Sequence, residues 1–279
     1  DDVGGIVDQG SAYIFTRQGN VWGQQRRIPA PNEAQDEEFG GSLALSGDTL
    51  VVADERSDLW NTNGGAVYVL ARNQAGEDQW GVVRTLANAG GGYGDLFGSS
   101  VAIDGDLLVA GAWFADSGGT VTTNEGAAYI FARNSGGADQ WGQAKKLVAG
   151  DDAAGDHFGY AVAISGDTVV VGAPDDDAVS TDAGAAYVFT RNQGGNNNWG
   201  QVKKLTGSDI AWEDNFGTAV AIHGDLIFVG APEVDHGGIQ NVGAVYVFGR
   251  NQGGANNWGQ LKKLTSDPID QSSGFGASL

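Results

Sequence analysis

Residues 158–174 read Phe-Gly-Tyr-Ala-Val-Ala-Ile-Ser-Gly-Asp-Thr-Val-Val-Val-Gly-Ala-Pro. Side chains alternate from Tyr160 to Ile164, Ser165-Gly166-Asp167 suits a tight hairpin turn, and Thr168 to Gly172 supplies a second strand. Residues 184–190 add a third, Gly-Ala-Ala-Tyr-Val-Phe-Thr, closed by Arg191. A hairpin rich in Gly and Asn, Asn192 to Asn198, leads to a fourth, Trp199-Gly-Gln-Val-Lys-Lys-Leu205. This unit of about 60 residues recurs along the chain, and repetition at such a period marks a solenoid, propeller or array.

The repeat has three signals at matched phase. Phe-Gly stands at Phe39, Phe97, Phe158, Phe216 and Phe275, in steps of 58, 61, 58 and 59 residues. A small-small-x-Tyr segment accompanies it at Tyr13, Tyr68, Tyr129, Tyr187 and Tyr246, and Trp-Gly at Trp22, Trp80, Trp141, Trp199 and Trp258. Four antiparallel strands per unit predict an all-β fold, a β-propeller of four-stranded blades. The 47 Gly among 279 residues follow from it, because four turns per unit need backbone that accepts positive φ.

The chain resembles the FG-GAP repeat family. The residues are Phe158-Gly159, Gly172-Ala173-Pro174 and Gly184-Ala185-Ala186-Tyr187, repeated as Phe216-Gly217, Gly230-Ala231-Pro232 and Gly243-Ala244-Val245-Tyr246. The resemblance implies a β-propeller, usually extracellular, whose best-known members are the seven-bladed ligand-binding heads of integrin α subunits. Blades of that type often carry a calcium loop between strands one and two. Here it shrinks to Ser46-Gly47-Asp48, Asp104-Gly105-Asp106, Ser165-Gly166-Asp167 and His223-Gly224-Asp225. Three residues cannot supply six to eight oxygens, so that calcium site is not carried over. A bacterial subtype with short hairpins is the closer match.

We read residues 1–279 as one domain, with units at about 39–96, 97–157, 158–215 and 216–274 and a fifth formed by 275–279 plus 1–38. The fifth is incomplete. Phe-to-Tyr spacing within units is 29, 32, 29 and 30, but 17 across the joined ends, so strand two and its hairpin are missing. Three readings stand: an excerpt of a longer array such as a seven-bladed ring, a five-bladed ring with Val3 to Val7 as a makeshift strand, or a strand supplied by a neighbouring molecule. The absence of Met and the start at Asp1 point to a processed product or a fragment.

Composition narrows function. The net charge of −20 opposes nucleic-acid binding. No apolar run approaches the ~18 residues of a membrane span. With no Cys there is no disulfide or thiolate metal site. On a propeller the 2–3 and 4–1 connections share one face, which gathers 27 of the 35 acids with only Arg56 to offset them. The remaining bases fall on the underside and rim, so discs could stack face to face. Solubility and turn formation account for many of these acids. Cation binding is the sharper reading: Asp175, Asp177 and Asp182, with Asp156 and Asp214, would form calcium pockets between blades. Asp or Asn recurs two places before each small-small-x-Tyr segment, at Asp8, Asn63, Asn124, Asp182 and Asn241. An acid recurs two places before Phe-Gly, at Glu37, Asp95, Asp156 and Asp214.

Five Trp repeat and read as packing between blades. Trp60, Trp113 and Trp212 break the pattern, as does Tyr93, and all four fall on the acidic face. Flat aromatics beside carboxylates suit sugar rings or a protein contact. There is no Gly-x-Ser-x-Gly elbow, phosphate loop or His-Glu-x-x-His. The expectation is therefore an extracellular or cell-surface, non-enzymatic adhesion, recognition or structural module. Its partner would be a protein or polysaccharide on the acidic face, with self-assembly through the termini or by stacking. A carbohydrate-binding propeller is the alternative, and a polysaccharide-degrading enzyme using His157 or His236 a distant one.

Overall fold

The computed structural model describes residues 9–31, 38–74, 76–88, 90–116, 123–177, 179–267 and 272–279. Its regular elements are all strands. A hairpin of β1 (Ser11–Gln18) and β2 (Val21–Pro29) comes first. Four four-stranded sheets follow. The first comprises β3 (Leu43–Ser46), β4 (Thr49–Asp54), β5 (Ala66–Ala71) and β6 (Gly81–Leu86). The second comprises β7 (Val101–Asp104), β8 (Leu107–Ala112), β9 (Ala127–Ala132) and β10 (Gly142–Leu147). The third comprises β11 (Ala161–Ser165), β12 (Thr168–Ala173), β13 (Ala185–Thr190) and β14 (Gly200–Leu205). The last comprises β15 (Ala219–His223), β16 (Leu226–Ala231), β17 (Ala244–Gly249) and β18 (Gly259–Leu264). Within each sheet the strands pair in chain order and antiparallel, the meander of a propeller blade.

Local chemistry sets each turn. Ser165 pairs with Thr168 across a two-residue loop in which Gly166 takes φ 55°. At the 3–4 hairpins the Asn73, Asn134, Asn192 and Asn251 side chains accept the N–H of Asp78, Asp139, Asn197 and Asn256. A register shift recurs in each 3–4 pairing, as between Val188 and Phe189, and bends the outer strand.

The core lies between consecutive blades rather than within one. The cluster joining the third and last sheets holds Val170 and Val188 of one against Phe216, Tyr246, Phe248 and Trp258 of the other. Phe216 meets Tyr246 edge-on at 5.4 Å, and Phe158 meets Tyr187 in the same way. The repeated Trp80, Trp141, Trp199 and Trp258 are buried, and Arg133, Arg191 and Arg250 stack on the last three at 4.6–5.2 Å.

Backbone stitches the blades together at Phe-Gly. Phe216 donates its N–H to Ala183 O of the preceding unit at 2.9 Å, while Gly217 donates to Gly230 O of its own sheet and turns its carbonyl oxygen toward Gly172 of the third. The contact is so close that a Cβ on Gly172 would stand 2.0 Å from Gly217 O. The Phe-Gly and Gly-Ala signals are therefore two sides of one junction.

Among the described residues the succession of blades is open. The hairpin β1–β2 carries the third and fourth strands of a blade and is a two-stranded sheet. At the far end Phe275 bridges Gly243, as Phe216 bridges Gly184. Residues 275–279 thus begin a further blade against the last sheet, as Phe216 begins the last sheet against the third. Val3 to Val7 lie outside the described residues. The aromatics of β1–β2 are the less covered ones: Tyr13 is 44% and Trp22 65% exposed, whereas Tyr68 and Trp80, one blade on, are 2% and 6%.

Candidate functional site

The loop face is built where each 2–3 connection meets the following 4–1 connection. Asn63, Asn124, Asp182 and Asn241 all take φ near 50–55°. Asn and Asp tolerate this left-handed backbone better than most residues, which explains their recurrence before the small-small-x-Tyr segment. A carboxylate holds each bend: Asp58, Asp116, Asp177 and Asp235 accept the N–H of Asn63, Asn124, Asp182 and Asn241.

The acids before Phe-Gly are buried clamps of the 4–1 loop. Asp95 accepts Gly92 N–H and the Asn88 amide, Asp156 accepts Ala153 N–H at 2.8 Å, and Asp214 accepts Ala211 N–H at 2.7 Å. Glu37 and Asp8 lie outside the described residues. Burial pushes the Asp156 carboxyl up to about 6, with Asp176 adding to the rise and the Ala153 N–H opposing it. Burial raises Asp182 as well, helped by the charges of Asp175 and Asp177.

The five expected metal ligands all take part in bonds or bends within the loops. Asp156, Asp177 and Asp214 hold backbone N–H groups. Asp175 bonds His157 Nδ1 through one oxygen and accepts the Asn215 amide at 3.1 Å through the other. Asp182 serves as a left-handed bend. Among the described residues no three His, Asp or Glu side chains form a group that could hold a metal ion.

The separation of charges is also less complete than expected. Lys204 reaches over from β14 to Asp151 and Asp176, each at 2.8 Å, and Lys263 reaches Asp209 at 2.7 Å. Their ammonium groups lie over the Tyr187 and Tyr246 rings at 5.2 and 5.3 Å, so bases assigned to the rim neutralise loop-face acids. Underneath, Arg72, Arg133, Arg191 and Arg250 pair with the hairpin residues Asp78, Asp106, Asp167 and Asp225.

The four pattern-breaking aromatics divide into separate places. Trp60 is 48% exposed, Tyr93 78% and Trp212 63%. Trp113 instead packs against Phe114 at 4.0 Å, His157 at 5.0 Å and Tyr160 at 5.2 Å. Trp60 lines a shallow hollow with Asn61 and Gly91, and the Asn61 amide donates to Gly91 O. Trp212 stands on a larger cavity of about 640 Å³ between the third and last sheets. Its walls include Asp182, Glu213, Asp214, Glu233, Asp235, Gln240 and Asn241. Sequence reasoning counted Glu213 only among the acids of the loop face and passed over Gln240. The same place before Phe-Gly is Asp36, Gly94 and Gly155 in earlier units, so a side chain there recurs only in part.

A family model described as FG-GAP repeat matches residues 22–70, 80–131, 141–189 and 199–248. Among curated proteins nothing matches. Among solved structures the chain is similar to Sqt1 from Chaetomium thermophilum, at 15% identity and a TM-score of 0.44. That similarity covers 76% of this chain and 44% of the other.

Proposed function

Because the chain belongs to the FG-GAP repeat family, we propose that it is an extracellular, non-enzymatic recognition or adhesion module that binds a protein or polysaccharide through its loop face. The observation that carries this reading is the placement of large exposed aromatics. The repeated Tyr and Trp of the complete blades are buried between sheets, while Trp60, Tyr93 and Trp212 stand exposed on the loops of one face. Exposed aromatics amid polar residues are the usual anchors of an interface. The fixed state of the carboxylates supports binding rather than catalysis, since Asp156, Asp177 and Asp214 are spent on loop backbone.

The test is a printed array of glycans and extracellular matrix proteins, probed with the wild type and with the triple variant Trp60→Ser, Tyr93→Ser, Trp212→Ser. The expected result is a defined set of spots that the triple variant loses while its melting temperature stays unchanged. Spots that persist in the variant, or polymer spots that the protein degrades, would overturn the proposal.

A further inference from the structure

The cavity beneath Trp212 differs from the junction one blade earlier in two adjacent residues, Trp212 and Glu213 where that junction has Ala154 and Gly155. Trp212 occupies the loop position held by Tyr93 and Ala154 in earlier units, and its indole is 63% exposed at the cavity's edge. Glu213 follows with φ 59°, where Gly94 and Gly155 take 76° and 87°. A Glu in left-handed backbone is disfavoured, and the strain is retained on a cavity wall. Across the cavity stand the amides of Gln240 and Asn241. Among the described residues no Lys, Arg or His lines it. Its volume of about 640 Å³ is that of a small-molecule site.

These features select a ligand chemistry. A flat, open ring wants an apolar face, amides and carboxylates want hydroxyl or ammonium donors, and a wall of carboxylates repels anions. A pyranose meets all three, with a C–H face on one side and hydroxyls around its rim. We propose that this cavity binds a neutral or amine-bearing pyranose of a polysaccharide, with the Trp212 indole against the sugar face and Glu213, Gln240 and Asn241 on its hydroxyls. The proposal rests on the recognition reading above and names the ligand class of one place on that face. Uronic and sulfated sugars are excluded by the same wall that favours amines.

The experiment titrates the full chain with cellotetraose, chitosan tetraose, tetragalacturonate and tetralysine, by calorimetry and Trp emission. The expected result is binding of cellotetraose or chitosan tetraose and none of tetragalacturonate. Trp212→Ala should weaken that binding at least tenfold, and Trp212→Phe should keep it within about threefold. Both variants should melt as the wild type does, because the indole is exposed. Tetralysine binding as tightly as the sugars, with Trp212→Ala neutral, would mean a charge sink and overturn the proposal. If neither sugar binds while the array still shows a protein ligand, the sugar inference fails and the recognition reading stands. If the array is blank as well, both fail.

Discussion

At Gly184 the backbone runs at φ +82°, and an added Cβ would stand 2.1 Å from the Phe216 carbonyl oxygen. Gly166 has a similar φ of +55° but open space around it. The two separate conformational strain from steric collision. Gly184→Ala should destabilise the protein by at least ~2 kcal/mol in urea unfolding, combining left-handed strain with a forced separation of blades. Gly166→Asn should stay within about 1 kcal/mol. Asp156 offers a test by pH. Its carboxyl is raised from 3.8 to about 6, so in that window the folded chain keeps a proton that the unfolded chain has released. The stability this contributes is full below pH 3.8 and lost as pH rises through about 6. Asp156→Asn keeps an oxygen for the Ala153 N–H and removes the titration. The variant's melting temperature should gain on the wild type from pH 4 to pH 7, and a constant difference would show that the carboxyl ionises normally.

The two lysines that cross onto the loop face set the comparison between strands. Lys204 on β14 and Lys263 on β18 hold equivalent places, but their partners differ in burial. The Asp176 side chain is 2% exposed and that of Asp209 54%. Lys204→Met strips the cation from a buried carboxylate and should destabilise by roughly 2–3 kcal/mol. Lys263→Met disturbs a solvated pair and should change stability by less than ~1 kcal/mol. Thermal or urea unfolding of the two variants decides it, and equal losses would mean that burial is not the determinant. Strand order was legible in the sequence, because Tyr160 to Ile164 alternates, Thr168 to Gly172 is a β-branched run, and Gly-Asp marks the turn between them. The roles of the aspartates were not. Asp177 and Asp182 sit at a spacing that reads equally as cation ligand or as bend and clamp, and the bond from Asp182 N–H to Asp177 is a backbone feature that the residue letters do not carry. The reach of Lys204 was hidden too, since a strand position says nothing of where a four-carbon stem ends. Trp113 looked like the other aromatics until His157 and Tyr160 closed around it.

Across the whole molecule, each blade is covered on both faces only if a neighbour stands on each side. Val162 and Ile164 of the third sheet are 8% and 9% exposed, while Leu43 and Leu45, their equivalents on the first sheet, are 49% and 62%. The hairpin β1–β2 covers Tyr68, Leu70 and Trp80, but among the described residues no inner strands beside it cover Leu43 and Leu45. At the other end Leu226 and Leu261 are 40% and 50% exposed. In such an array stability is a sum of unit terms and nearest-neighbour interfaces, so units with one neighbour open before those with two. Amide exchange should therefore be fastest in β1–β2, intermediate in β15–β18 and slowest in β8, β9, β12 and β13, whose residues are nearly all buried. Hydrogen–deuterium exchange read by mass spectrometry resolves these segments. Uniform protection along the chain would require an end-to-end contact that covers Trp22 and Leu45. The same experiment at rising protein concentration separates its two sources, because protection supplied by a second copy grows with concentration and protection within one chain does not.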